Sequence, residues 1–183
     1  MLRIIAGQAR GRRLRTPKGR HTRPTADRVR EALFNILGHR VVGSMVLDLF
    51  AGSGAVGLEA LSRGASGAVF VDNNRAALAC LAINLKETGF EDRGEIIATD
   101  VRRAIFDLKS LARAFDLIYI DPPYYQDWGR VILPAVTPLL LPGGIAVLET
   151  AAADFTCEVE HLNLFSQRVY GDTKLNIYQV RGD

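Results

Sequence analysis

The stretch Met45-Val46-Leu47-Asp48-Leu49-Phe50-Ala51-Gly52-Ser53-Gly54-Ala55-Val56-Gly57 decides the fold. Val46, Leu47, Leu49 and Phe50 form a short apolar run bounded by turn residues, the pattern of a parallel strand covered on both faces. Gly52, Gly54 and Gly57 follow with the spacing G-x-G-x-x-G. Glycine admits positive φ and lets a ligand approach the backbone, and the helix that follows offers unpaired N–H groups at its start. Strand, turn and helix together predict a nucleoside-type ligand. The loop alone leaves open a nicotinamide or flavin dinucleotide and S-adenosylmethionine.

Downstream, strands and helices alternate, which predicts an α/β fold with a parallel sheet. A helix runs from the glycine turn to about Arg63 and is closed by Gly64. Ala68–Val71 is a second strand ending at Asp72. Leu78, Leu81, Ala82 and Leu85 mark a helix ended by Gly89, and Glu95–Ala98 is a third strand ending near Asp100. A short helix follows over about Arg102–Leu108. Phe115–Ile120 is a strongly apolar fourth strand running into Asp121-Pro122-Pro123-Tyr124. Between Asp127 and Leu141 the helical pattern is interrupted by Pro134 and Pro138, leaving its boundaries open. Gly143-Gly144 turns into a fifth strand, Ile145–Glu149. Leu162–Tyr170 and Leu175–Val180 flank Gly171-Asp172 as a closing hairpin.

Upstream, residues 1–40 carry ten Arg and one Lys against Asp27 and Glu31, while the remainder holds twelve basic and eighteen acidic groups. A basic arm on an acidic body points to nucleic-acid phosphates rather than to a solubilising tail. Leu2–Ala6 and Arg12–Thr16 around a glycine-flanked turn predict a β-hairpin with exposed arginines. After Pro17-Lys18-Gly19, Arg23-Pro24-Thr25 leads into a helix with Thr25 as its cap. Val29, Leu33, Ile36 and Leu37 form its inward stripe, Gly38 stops it, and Arg28 and Arg30 are expected to face a partner. The organisation expected is a basic extension over 1–40 and a body over 41–183, forming one compact unit.

The 183 residues are 48% hydrophobic and 23% charged, as in ordinary globular proteins. No apolar run approaches the ~20 residues that span a bilayer, and the N-terminus lacks the apolar segment of a secretory signal. Cys80 and Cys157 are far apart, which fits a reducing cytoplasm. His21, His39 and His161 lack ligand spacing, so no metal is expected.

Three acids fall at the carboxyl side of the strands, where open α/β sheets bind ligands. Asp72 suits a pair of ribose hydroxyls, or else caps the next helix. Asp100 suits an adenine amine, or caps its own helix. Asp48 lies inside its strand, where a carboxylate is costly unless donors or a cation meet it. The ammonium and sulfonium of S-adenosylmethionine supply that cation; a dinucleotide pyrophosphate has the wrong sign. Asp121-Pro122-Pro123-Tyr124 reads as a stiff loop at the same edge, since two prolines fix φ and remove two N–H donors. The Asp121 side chain and the Pro122 carbonyl would accept from an exocyclic base amine and aim its lone pair, with Tyr124 stacked on the base.

V-L-D-L-F-A-G-S-G (Val46–Gly54) with D-P-P-Y (Asp121–Tyr124) resembles the S-adenosylmethionine-dependent amino-methyltransferases of nucleic-acid bases. R-I-I-A-G (Arg3–Gly7), R-G-R-R-L (Arg10–Leu14), T-R-P-T (Thr22–Thr25), R-V-R-E-A-L-F-N-I-L (Arg28–Leu37) and Y-G-D-T (Tyr170–Thr173) further resemble the bacterial small-subunit (16S) ribosomal RNA guanine-N(2)-methyltransferase family. The resemblance implies a Rossmann-like seven-stranded sheet with a reversed final strand. It implies a cofactor site of Asp48, Phe50, Ala51, Gly52, Gly54, Asp72, Asn73, Asp100 and Val101, with Asp121, Pro122 and Tyr124 positioning the guanine amine. It also implies that Arg10, Arg12, Arg13, Arg15, Arg23, Thr25 and Arg28 meet 16S rRNA, in a small-subunit particle with ribosomal proteins, the enzyme acting as a monomer. One departure is Asp72-Asn73-Asn74, where relatives commonly carry Glu and then charged residues.

Other readings remain distinct: methylation of DNA adenine or a protein glutamine, a dinucleotide oxidoreductase, or a non-catalytic RNA-binding assembly factor. The first pair fits Asn better than Asp at position 121, and neither explains the arm.

Overall fold

Successive residues of β1 (Met45–Leu49) point to opposite faces of a sheet, so Val46 and Asp48 go one way and Leu47 and Leu49 the other, all four buried. This computed structural model describes residues 2–17, 24–123 and 128–181. β1 pairs in parallel with β2 (Gly67–Asp72) on one side and with β4 (Phe115–Ile120) on the other. β3 (Gly94–Ala98) adds outside β2, and β5 (Leu140–Ala151) outside β4, both parallel. β7 (Thr173–Val180) then runs antiparallel between β5 and β6 (Leu162–Tyr170). The order β3-β2-β1-β4-β5-β7-β6 gives seven strands with the last reversed, as expected from the resemblance. The sheet reverses its winding between β1 and β4, and open α/β sheets bind ligands at such a switch point.

Helices α1 (Pro24–Leu37), α2 (Ala55–Ser62) and α3 (Arg75–Thr88) lie on the Val46–Asp48 face. Their Leu33, Phe34, Leu58, Leu61 and Leu81 share one core with Val46, Phe70, Tyr119 and Val147. Helices α4 (Val101–Ser110) and α5 (Trp128–Val136) cover the other face, with Ile105, Leu108, Ile132 and Leu133 packed on Leu47, Leu49 and Ile118. Several elements are longer than their sequence pattern. Pro134 is carried inside α5, and a 3-10 turn over Thr137–Leu139 ends that segment. Gly143 and Gly144 lie within β5 and do not turn into it: Leu140 pairs with Phe115, and the ladder resumes with Ile145 opposite Leu117.

The N-terminal arm is a hairpin reduced to one antiparallel bridge, Arg3 with Arg13. Ile4 donates to the Arg12 carbonyl and Leu14 to the Leu2 carbonyl, each at 2.9 Å. Leu2, Ile4 and Leu14 face the core, while Arg3, Arg10, Arg12, Arg13 and Arg15 are exposed. Ser62, at the end of α2, holds the hairpin turn: its hydroxyl accepts from Ala9 N–H and donates to the Ala6 carbonyl. Gly7 is required there, with φ +82° and a Cβ position only 1.9 Å from the Ser62 carbonyl oxygen.

Two expectations for α1 are corrected. The helix begins at Pro24, so Thr25 lies in its first turn and is not its N-cap; proline is favoured there because its missing N–H would be unpaired anyway. Arg30 does not face a partner. It lies on the same 3.6-residue stripe as Leu33, Phe34 and Leu37, and is 4% exposed. Its Nη2 donates to the Arg3 carbonyl (2.6 Å) and to Asp27 (3.0 Å), and its Nε stands 3.7 Å from Glu59. Glu59 on α2 is fully buried and accepts from Ile5 N–H (2.7 Å), Ala6 N–H (3.0 Å) and Arg63 Nε (2.7 Å). Removing one partner of a buried ion pair strands the other. Glu59→Ala is therefore expected to cost about 3–5 kcal/mol of unfolding free energy in urea; a loss below about 1 kcal/mol would show that apolar contacts alone hold the arm.

Candidate functional site

Beyond β1 the chain must turn sharply into α2. Phe50 takes φ +61°, a left-handed conformation unusual for a bulky residue and typical of functional turns. Gly52 (φ +57°) and Gly54 (φ +81°) follow, with Gly54 as the N-cap of α2. The three glycines serve different needs. A Cβ on Gly54 would stand 2.3 Å from Leu81 of α3, and one on Gly57 2.3 Å from Phe70 of β2, so both lie in the close packing of α2 against its neighbours. Around Gly52, among the described residues beyond its chain neighbours, no heavy atom lies within 4 Å of the Cβ position, which leaves space beside that backbone. Ala51 N–H donates to the Val71 carbonyl at 3.0 Å, tying the loop to β2.

Asp72 closes β2, and its two oxygens accept from Gly52 N–H and Asn74 N–H, each at 2.7 Å. It braces the glycine loop and does not cap α3. That cap is Asn74, which accepts from Ala76 and Ala77 N–H. Asn73 between them is exposed. Asp100 is the N-cap of α4, accepting from Arg102 N–H at 2.9 Å, and is exposed, while Val101 after it is buried. Phe50 packs edge-on against Trp128, ring centroids 5.4 Å apart, and the Arg102 guanidinium stacks over the same indole. The Trp128 indole N–H is buried without an acceptor among the described residues, an orphaned donor beside the loop.

Asp48 is 2% exposed, and its Oδ2 accepts from Gly57 N–H at 2.9 Å. Burial, reinforced by the nearby Asp72 charge and opposed by the Gly57 bond, pushes its carboxyl up to about 7. Tyr119 pairs with Asp48 across β1–β4, and its hydroxyl donates to the Glu149 carboxylate near the end of β5. Burial first, then the negative charges of Glu149, Asp121 and Asp48, raise the Tyr119 phenol well above its ordinary range, so it stays protonated. Asp121 is exposed at the end of β4, its N–H directed at the Leu49 carbonyl, and Pro122 behind it is buried. Asp48, Tyr119, Asp121 and Glu149 thus gather at the switch point. Tyr119 and Glu149 were not singled out by the motifs; Glu149 carries the same signal as Asp72 and Asp100, an acid ending a strand.

Arg10, Arg12, Arg13 and Arg28 are exposed. Arg15 is exposed but pairs with Glu87 on α3 (Nη2 to Oε1, 2.5 Å), and its backbone is held by Asn84. Asn84 is fully buried: it accepts from Arg15 N–H (2.7 Å) and donates to the carbonyls of Arg15 (3.0 Å) and Ser53 (2.9 Å). One side chain therefore joins the arm to the glycine loop. Arg23 and Tyr124 lie outside the described residues, as does the side chain of Thr25. Among the described residues no group of three or more His, Cys, Asp or Glu is arranged to hold a metal ion, and no helix is long and apolar enough to cross a membrane.

The buried Asp48 makes stability depend on pH. A carboxyl that titrates near ~3.9 when unfolded and about 7 when folded gives the folded chain the extra proton between those values. Its favourable contribution is complete below the unfolded value and is lost as pH rises through the folded one. Urea unfolding of the ligand-free protein should accordingly shift in favour of Asp48→Asn over the parent, by about 4 kcal/mol, between acid and mildly alkaline pH. A difference that does not change with pH would refute this account of Asp48.

The family described as "Conserved hypothetical protein 95" matches residues 2–179. The chain is 34% identical over 184 residues to a Bacillus subtilis protein, YlbH, named as a candidate rRNA methyltransferase; the match covers 99% of this chain and all of that one. It is 42% identical over 123 residues to ribosomal RNA small subunit methyltransferase D of Escherichia coli, spanning 67% of this chain and 60% of that protein. Among solved structures, a candidate methyltransferase of Escherichia coli, yhhF, superposes with a TM-score of 0.86 at 32% identity, covering 100% of this chain and 99% of that one. With a match over nearly its whole length and relatives named as ribosomal RNA methyltransferases, the chain belongs to the bacterial family described as conserved hypothetical protein 95.

Proposed function

We propose that the protein transfers a methyl group from S-adenosylmethionine to the exocyclic 2-amino group of a guanine in small-subunit (16S) ribosomal RNA. The observation that carries this reading is the gathering of Asp48, Tyr119, Asp121 and Glu149 beside a glycine loop whose Gly52 backbone is open. A buried carboxylate pushed up to about 7 favours a ligand bearing positive charge. The ammonium and sulfonium of the methyl donor meet that demand, whereas a dinucleotide would bring two phosphates to it. The small-subunit rRNA activity in the name of the Escherichia coli relative supports the choice of acceptor.

Bound S-adenosylmethionine supplies an electrophilic methyl group on a sulfonium. Gly52 lets the backbone approach the methionine end, with Gly54 in the same turn, near the charge of Asp48. Asp72, braced by Gly52 and Asn74 N–H, keeps lone pairs for ribose hydroxyls, with Asn73 beside it. Asp100 and Val101 would meet the adenine, and Phe50 and Ala51 complete the residues that would hold the cofactor. Asp121 accepts from the guanine amine and, with the Pro122 carbonyl, aims its lone pair; orienting two bound reactants is a large source of acceleration for a bimolecular transfer. The amine hydrogen lost on transfer already faces a carboxylate. Tyr124 is proposed to stack on the base. Residues 1–40 form the RNA-binding extension and 41–183 the catalytic body, acting as a cytoplasmic monomer on a small-subunit particle.

The direct test is labelled methyl transfer to small subunits from a strain lacking the enzyme, followed by mapping of the modified base. Asp121→Ala should retain binding of S-adenosylhomocysteine by calorimetry while transfer falls at least ~100-fold; unchanged transfer would refute its role. Replacing Arg12, Arg13 and Arg15 with Ala should weaken RNA binding and flatten the slope of log K against log salt by about 2–3, because each lost phosphate contact releases less counterion. Arg15 should contribute least, being paired with Glu87. An unchanged slope would remove the arm from the RNA site.

A further inference from the structure

We propose that Arg102 is a second RNA contact, apart from the arm: its guanidinium binds a backbone phosphate of the strand that carries the target base, so that the RNA is held on both sides of the glycine loop. The proposal rests on the methyl transfer to ribosomal RNA proposed above and adds a residue to its binding surface.

Most arginines that stack on an aromatic ring here also donate to a side-chain acceptor: Arg63 to Glu59, Arg93 to Gln8, Arg103 to Asp107 and Arg113 to Glu95. Arg40 and Arg102 stack as well, on Phe165 and Trp128, but among the described residues their guanidinium groups donate to nothing. Arg40 precedes β1, at the amino edge of the parallel strands, whereas Arg102 lies in the first turn of α4, after β3, at the carboxyl edge. Arg102 is exposed, with its Cζ 4.9 Å from the centre of the Trp128 ring. Stacking fixes the plane of a guanidinium and leaves its N–H groups directed outward in that plane, the fork that meets two phosphate oxygens at once. An arginine already held in this way loses less side-chain freedom when it binds.

Placement identifies the partner. The arm packs on the Val46–Asp48 face of the sheet and α4 on the Leu47–Leu49 face. Both are tied to the same glycine loop. Asn84 joins the Arg15 backbone to the Ser53 carbonyl, and Trp128 joins the Arg102 guanidinium to Phe50. A strand gripped by the arm arginines and by Arg102 therefore crosses the carboxyl edge of the sheet, where the methyl donor and the target base are proposed to meet. That edge also carries the Asp72 and Asp100 carboxylates, so a phosphate drawn there needs a cation of its own. The methionine carboxylate is a less suitable partner, since the methionine end is assigned to Gly52 and Asp48.

Binding of the full chain to small subunits from a strain lacking the enzyme is measured over a salt series, beside steady-state methyl transfer to the same particles and calorimetry with S-adenosylhomocysteine. Arg102→Ala should weaken particle binding about 10-fold and lower the slope of log K against log salt by about 1. Its KM for the particle should rise about 10-fold with kcat little changed, the mark of a contact made equally before and during transfer. Arg102→Lys, which keeps the charge without the planar fork, should restore the slope and only part of the affinity. Both variants should bind S-adenosylhomocysteine as the parent does. An unchanged slope in Arg102→Ala, or a fall in its affinity for S-adenosylhomocysteine, overturns the proposal while leaving the proposed reaction standing. Absence of methyl transfer to small subunits by the full chain overturns both.

Discussion

A single buried carboxylate, Glu59, holds the two parts of the chain together. It sits in the middle of α2 with no solvent contact, and its oxygens are satisfied by two hairpin N–H groups and by Arg63, with Arg30 of α1 completing the neutralisation. Each of those partners would carry a desolvation penalty without it, and it would carry one without them. The hairpin, α1 and α2 are thus placed by a shared electrostatic requirement as well as by the apolar core of Leu2, Ile4, Leu33 and Leu58. Since α2 begins at Gly54, the element that receives the arm is the one that opens the glycine loop.

A second link runs through Asn84. Its amide satisfies Arg15 as a neighbouring strand would and reaches the Ser53 carbonyl with its remaining donor bond. Polar groups buried this completely are costly to leave half-paired, so the arm backbone and the glycine loop are positioned by the same side chain. The arm is therefore no loose tail: its apolar residues are core, its backbone is pinned at Glu59, Ser62 and Asn84, and its arginines are what it leaves outside.

At the switch point the logic is reversed for Asp48, a buried carboxylate raised by its own burial. Asp48 faces no cation within the described residues and rises to about 7, while Tyr119 is held protonated among carboxylates. Phe50 adds backbone strain in the same turn. Features that cost stability in the free protein concentrate at this edge of the sheet, the pattern that functional sites commonly show.

Much of this was legible in residue order. The apolar run at Val46–Phe50, the glycine spacing and the alternation of strands and helices determined an α/β sheet, and acids at strand ends marked its ligand edge, because period and turn chemistry are local properties. Asp72 and Asp100 could be read as cap or ligand contact. Only the structure separated them, giving the α3 cap to Asn74 and the α4 cap to Asp100. Arg30 looked like a surface arginine because its buried counter-charge, Glu59, lies 29 positions away on another helix. Glu149 was a strand-end acid like the others, yet its contact with the Tyr119 hydroxyl depends on β4 and β5 being adjacent. Residue order alone was enough for the elements, the glycine loop and the basic arm; which charges meet was settled by strand order and helix docking, which bring together residues whose separation along the chain carries no trace of contact.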